Sequence, residues 1–328
     1  MNKKILIFSG AEVIGDGIIK LPFLALIKKR LPDYKIYWIT NNGTTVYNNE
    51  LKNYANIYID KIFEKAQLSC LPWKPISKKF SLDNISFDII IDTQKAVLRT
   101  VALKRIKCKK FISSSANWFF SSKVPENRKK NKTYYLKNLI EMLDLISDSS
   151  IKINYENKVP KKLVSLIKDE LKSEKKYIGF APGAGDKKKI WDLKKFLKVA
   201  NYFLKKGYVP IFFLGPNEIN YQTTIKKNLD KVIFIEENIT EFSKIEIVMA
   251  SANFLACSLA NDSGTSHMLA NKKTPQVKLF GPTNKNKFSN PEFRIKAIDS
   301  KDFGSSDINS IKTDHVIKTI ESILSIKT

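Results

Sequence analysis

The chain has 328 residues, 57 Lys and Arg against 32 Asp and Glu for a formal charge of +25, and 43% hydrophobic residues, enough for two ordinary globular domains and unlike a disordered or low-complexity chain. Cys70, Cys108 and Cys257 are scattered, odd in number and form no CxxC or Cys/His pair, so a disulfide framework and a zinc site are not expected and a reducing cytoplasm fits. No run approaches the roughly 18 apolar residues of a membrane-spanning helix.

The chain opens on "KILIFS" (4–9), whose apolar run stops at Phe8 before Gly and Asp and so reads as a first strand, not a signal peptide. Next comes "GAEVIGDGIIKLP", where Gly15 and Gly17 flank Asp16 ahead of a helix predicted over Gly17 to Arg30. Asp16 there is either a helix cap or a carboxylate free to accept a proton. Strands are expected at "KIYWIT" (35–40), "NIYID" (56–60), "FDIIID" (87–92) and "KKFISS" (109–114), with a helix over Thr133 to Ile146. Residues 95–137 hold thirteen basic side chains and one acidic one, Glu126. Such a patch suits an anionic partner, although Lys-rich, Arg-poor usage throughout the chain also reflects AT-rich coding.

The stretch "SDSSIKINYENKVPKK" combines turn residues, charge and proline, which places a boundary between domains 1–155 and 156–328. Strands then restart at "YIGFAPG" (177–183), "VPIFFLG" (209–215), "KVIFIE" (231–236), "NFLACS" (253–258) and "PQVKLFG" (275–281). Helices at about 194–206, 217–229, 241–251 and 266–272 separate them, and a last one at about 313–326 has the option of packing back towards the first domain. This alternation predicts two doubly wound parallel-sheet α/β domains, Rossmann-like, whose ligands bind beyond the carboxyl ends of the strands.

The loops at those ends are chemically unusual. "APGAGDKKKIW" joins a Pro-Gly turn to lysines that suit a phosphate or form a solvated run, with Trp191 read as ordinary packing. "LGPNE" puts Glu218 at a helix start, favoured there by the helix dipole or placed to accept from a ribose diol. "NDSGTSHMLA" holds two titratable residues and a Gly before a helix expected near Ser266, with Asp262 or Ser263 as a simple cap or the loop as an anion site. "LFGPT" is by itself a turn with Thr283 and Asn284. The chain has no GxxxxGK[ST], no GxGxxG after the first strand, no Asp-x-Asp and only two histidines, His267 and His315, so a P-loop NTPase and a catalytic metal are not expected.

In order, "GDGIIKLP", "APGAGDKKKIW", "LGPNE", "NDSGTSHMLA" and "LFGPT" resemble the glycosyltransferase family of bacterial lipopolysaccharide heptosyltransferases. The resemblance implies a GT-B fold, with the acceptor on the N-terminal domain and the nucleotide sugar on the C-terminal one. It implies inverting, metal-independent transfer of a heptose from ADP-heptose to a lipopolysaccharide-core acceptor, with no cofactor. By the same resemblance, backbone N–H groups of Ser263, Gly264 and Thr265 meet the diphosphate, Asp262 the sugar hydroxyls, and His267 either one. Gly183 belongs to the donor side, Glu218 holds the ribose, Lys189 neutralises the departing diphosphate and Asp16 is the base, with Glu12 in reserve. Gly15, Arg99, Arg128 and Lys130 fall to the acceptor side. The acceptor is an anionic glycolipid, which puts a monomeric enzyme in the cytoplasm with peripheral contact at the inner membrane face.

A His at a helix N-terminus is disfavoured as a cation, so His267 is expected to be neutral. Asn284 stands where the family usually has Asp, and "KIW" lacks the family's Arg, two departures that bear on the identity of the donor sugar. A sugar-nucleotide epimerase of GT-B-like architecture is the alternative. A nucleic-acid binder is more remote, because the basic patch carries no RNP, helix-turn-helix or zinc-finger pattern.

Overall fold

Apolar runs of five or six residues are too short for buried helices and too continuous for one-sided strands, so each half of the chain condenses on a parallel sheet covered on both faces. The computed structural model describes residues 3–126, 134–154 and 159–325, in two units, Met1–Tyr155 and Glu156–Thr328. The first unit contains β1 (Lys3–Phe8), α1 (Ile14–Arg30), β2 (Tyr34–Ile39), α2 (Lys52–Ala55), β3 (Ile59–Phe63), β4 (Phe87–Asp92), α3 (Val97–Lys104), β5 (Cys108–Ser113) and α4 (Tyr135–Asp144). Its sheet order is β3-β2-β1-β4-β5, all parallel, with β1 central and its Ile5–Phe8 stretch paired to β2 on one side and β4 on the other.

The second unit contains α5 (Lys161–Glu170), β6 (Lys176–Ala181), α6 (Leu193–Lys205), β7 (Tyr208–Phe212), α7 (Tyr221–Asn228), α8 (Ile235–Asn238), α9 (Lys244–Ser251), β8 (Cys257–Asn261), α10 (Gly264–Leu269), β9 (Gln276–Phe280), α11 (Lys285–Phe288), β10 (Ile295–Asp299) and α12 (Thr313–Ser325). Its parallel order is β10-β9-β8-β6-β7. Strands β6, β8 and β9 bury Ile178, Phe180, Leu259, Val277 and Leu279 against Phe196, Val199 and Phe203 of α6. The terminal helix α12 adds Val316, Ile317, Ile320 and Ile323 to this same core.

Several elements depart from the sequence expectation. "KVIFIE" is not a strand: only Ile233 pairs, as a lone bridge to Ile211, and the chain turns helical at Ile235. A four-residue apolar run does not distinguish helix from strand, and here Glu236 and Glu237 fall in the first turn of α8, where the helix dipole favours acidic side chains. Residues Ala252–Phe254 form a 3-10 turn, so β8 starts at Cys257, four residues later than "NFLACS" suggests, and runs to Asn261. Strand β3 likewise starts at Ile59, after α2 has closed on Asn56. Helix α1 starts at Ile14, which places Asp16 inside its first turn and leaves Val13, which makes no side-chain cap, at the N-cap. Gly17 is a packing requirement: a Cβ there would fall 2.5 Å from Val46 Cγ2 and 2.8 Å from Leu51 Cδ1.

Candidate active site

Asp262 follows the last residue of β8, and Lys278 stands on the neighbouring strand opposite Ala260, two residues before the end of β9. Adjacency of the two strands brings Lys278 Nζ to 2.8 Å from Asp262 Oδ1, with both residues almost wholly buried. Lys278 Nζ also donates to the Phe288 carbonyl at 3.2 Å and lies 3.2 Å from His267 Nε2 on α10. The other Asp262 oxygen accepts from Thr283 Oγ1 at 2.9 Å and faces Lys189 Nζ at 3.5 Å. One carboxylate is thus flanked by two cations. Burial raises the Asp262 proton affinity, but the charge and hydrogen bond of Lys278, with Lys189 behind, outweigh it and hold the carboxyl below its usual range.

His267 is held well below the usual histidine range by burial first and then by the Lys278 and Lys189 cations, against the opposing Asp262. It is neutral for a different reason than the sequence suggested. Helix α10 has six residues and His267 lies in its last turn, where the helix dipole favours a cation; burial and Lys278 decide the matter. The loop also caps itself. Ser263 is the N-cap, its Oγ accepting from Ser266 N, while its own N–H donates to Ser266 Oγ at 3.2 Å. Of the three N–H groups assigned to a diphosphate, that of Ser263 is therefore already engaged, and the Gly264 and Thr265 groups are the remaining two of the three.

Lys189 closes a 3-10 turn capped by Asp186 and is half-buried, its Nζ 6.0 Å from the Phe288 ring centroid. Its loop is stapled to β8 by Asn261, whose Oδ1 accepts from Trp191 N at 3.3 Å and whose amide donates to the Pro182 carbonyl at 2.6 Å. Trp191 is core: it is fully buried, donates Nε1–H to Ile311 O at 3.1 Å and packs edge-on to Phe196. Glu218 ends a 3-10 turn after β7. Its carboxylate sits in a space left by two glycines: a Cβ on Gly183 would run into it, and one on Gly215 would fall 2.6 Å from Oε2. Burial pushes the Glu218 carboxyl up, opposed by a hydrogen bond from the Gly215 backbone. Asn284 accepts from Asn286 N at 2.9 Å as the cap of α11, a task Asn and Asp perform about equally.

In the first unit, Glu12 is buried and ion-paired at 3.5 Å to Lys20, which is also buried and donates to Ser9 Oγ at 2.6 Å. Lys20 Nζ lies 5.8 Å from the Trp38 ring centroid and 5.7 Å from that of Tyr135. Glu12 Oε2 has no hydrogen-bond partner among the described residues. Asp16, by contrast, is half-exposed in the first turn of α1. Gly15 is buried beside it, and Arg99 is half-buried on α3. Arg128 and Lys130, with Lys129 and Lys132, lie outside the described residues. Arg105 is no free member of the basic segment, since its guanidinium holds the carbonyls of Ser69, Pro72 and Lys74.

Sequence reasoning missed Lys278, Asn261 and Lys20. For Lys278 a signal was present: a lysine in the middle of an otherwise apolar run that reads as a buried parallel strand requires a partner. Among the described residues no group of three or more His, Cys, Asp or Glu side chains is placed to hold a metal ion. No helix there is long and apolar enough to cross a membrane.

Among curated proteins the chain is similar to lipooligosaccharide heptosyltransferase 2 of Campylobacter jejuni, 26% identical over 273 residues, covering 82% of this chain and 78% of that protein. Among solved structures it superposes on a family 9 glycosyl transferase from Veillonella parvula with a TM-score of 0.70 at 20% identity, covering 100% of this chain and 99% of that one. It matches the E. coli ADP-heptose LPS heptosyltransferase II with a TM-score of 0.67 at 14% identity, covering 99% of each chain. These structures share its fold, the paired α/β sheets of the GT-B type. Residues 77–311 match the sequence profile of glycosyltransferase family 9 (heptosyltransferase). The match favours glycosyl transfer over the epimerase and nucleic-acid alternatives: the chain belongs to glycosyltransferase family 9.

Proposed function

We propose that the chain transfers a heptose from ADP-heptose to a lipopolysaccharide-core acceptor, with inversion and without a metal. The observation that carries this reading is the pairing of Lys189 and Lys278 with the single Asp262 carboxylate at the strand ends, which leaves positive charge for an anionic donor. The ADP-heptose of the E. coli relative's name suits that charge and the glycine-framed Glu218 carboxylate, an acceptor for a ribose diol. Asp262 and His267 face the sugar and diphosphate, with the Gly264 and Thr265 N–H groups. Asp16 takes the proton of the acceptor hydroxyl as its oxygen bonds to the anomeric carbon, and the anomeric C–O bond breaks with its electron pair passing to the diphosphate. Lys189 neutralises that charge, the task a metal performs elsewhere.

The acceptor falls to the first unit, with Gly15 and Arg99, and its anionic headgroup to the basic segment. Leu98 and Phe119 are exposed within that segment, close in sequence to Lys95, Arg99 and Lys123, a combination that suits the surface of an anionic bilayer. The deciding assay incubates the enzyme with ADP-heptose, GDP-mannose or UDP-glucose, with and without heptose-deficient lipopolysaccharide and with EDTA. Acceptor-dependent release of ADP in EDTA is expected. Donor consumption without acceptor, or a strict need for a divalent ion, overturns the reading. Reversal of Arg128, Lys129, Lys130 and Lys132 to Glu should abolish sedimentation with anionic vesicles at low salt; equal binding by mutant and wild type removes the membrane contact.

A further inference from the structure

The buried ammonium of Lys278 touches no surface, yet its position dictates what its two neighbours can do. An ammonium has three N–H donors and no acceptor. Lys278 Nζ has three acceptors in reach: Asp262 Oδ1 at 2.8 Å, the Phe288 carbonyl at 3.2 Å and His267 Nε2 at 3.2 Å. A donor facing Nε2 requires a lone pair there, so the imidazole proton resides on Nδ1. A proton on Nε2 would set two N–H donors against each other, and two cations if Nδ1 kept its own, in a site that water barely reaches, since the Lys278 side chain is 1% exposed and that of His267 12%.

We infer that Lys278 is a positioning residue that locks His267 as the neutral tautomer with its proton on Nδ1, so that His267 meets the donor as an N–H hydrogen-bond donor and never as a cation. The charged groups facing His267 are Lys278 on β9, Lys189 in the loop before α6 and Asp262 after β8; Phe288 of α11 packs against the ring at 6.5 Å. Two of the three charges are positive, so the surroundings reinforce the lock. The same ammonium holds Asp262 Oδ1, which keeps that carboxylate ionised and oriented while Thr283 and Lys189 hold the other oxygen. Lys278 therefore acts through Asp262 and His267. The role of His267 towards a sugar nucleotide rests on the proposed function, whereas the tautomer rests on the protein alone.

Long-range proton–nitrogen NMR of the full chain tests this directly, because the protein has only two histidines and His315→Gln separates their signals. The expected wild-type spectrum shows His267 with a protonated Nδ1 and an unprotonated Nε2, unchanged to at least one pH unit below the ordinary histidine value of about 6.5. In Lys278→Met the His267 proton affinity should rise tenfold or more, because Asp262 becomes its nearest charge. The donor KM of that variant should then gain an acid limb that wild type lacks, a change that loss of packing alone does not produce. A wild-type His267 protonated on Nε2, or titrating in the ordinary range, overturns the lock, and this reading stands even if Lys278→Met does not fold. A folded Lys278→Met with unchanged tautomer and titration overturns it too. The NMR readings need no sugar nucleotide: the expected spectra without any binding of ADP-heptose would support the lock and overturn the donor assignment instead.

Discussion

Lys20 in the first unit and Lys278 in the second are both almost fully buried and both lie against a carboxylate, yet their proton affinities move in opposite directions. Burial depresses each. At Lys20 it is outweighed by Tyr135, Glu12 and Asp16, and the ammonium ends above its usual range. At Lys278 the charge and hydrogen bond of Asp262 oppose burial, but Lys189 adds a second cation and the ammonium ends below it. The pair is alike and the surroundings differ: carboxylates outnumber lysines in one cluster, and lysines outnumber carboxylates in the other. The first arrangement carries net negative charge and the second net positive charge, which under the proposed function suits the one to accepting a proton and the other to meeting an anion.

The largest expected effect breaks the first cluster. Asp16→Asn should lower turnover by about two to four orders of magnitude, the range of a positioned general base, while donor binding and thermal stability stay near wild type. Turnover within a few fold would return Asp16 to a structural role, and Glu12→Gln would become the informative variant. In the second cluster, Asp262→Ala leaves the Lys278 ammonium buried without its carboxylate and should destabilise the protein by about 3–5 kcal/mol in urea denaturation. A loss under about 1 kcal/mol would mean that water reaches Lys278 and that the contrast between the clusters is smaller than the burial implies.

Lys189→Ala removes the less buried cation. It should slow transfer by about a hundredfold and weaken nucleotide binding in calorimetry, with wild type indifferent to added magnesium. Unchanged kinetics would leave Lys278 alone to oppose the donor charge.

The smallest effect concerns pH. His267 has a depressed folded-state value, so its contribution to stability is fully present above the unfolded value of about 6.5 and is lost as pH falls towards the folded one, because only the unfolded chain then binds the proton. Melting temperature should fall from pH 7 to 5, with His267 contributing at most about 1.4 kcal/mol per pH unit. His267→Gln should flatten that slope; an equal slope in both proteins would place the acid sensitivity elsewhere.

Much of this was readable along the chain. Strand-forming runs, the break near residue 155 and the loops bearing Asp16, Lys189, Glu218 and Asp262 are local features, because hydrophobic period and turn residues act over a few positions. Local reasoning failed at "KVIFIE" and at the start of β8, where a short apolar run suits helix and strand alike and only the neighbouring elements choose.

Residue types at strand ends, and hence the kinds of chemistry on offer, are properties of the sequence alone. Charge state is not. Lys278 became the partner of Asp262 because parallel pairing sets β9 beside β8 with Lys278 opposite Ala260, a contact between positions sixteen apart that no local pattern encodes. Burial then gave each charge its weight, since a nearby ion acts strongly only where water is excluded. The sequence supplied a histidine, an aspartate and lysines; tertiary packing decided which of them hold a proton.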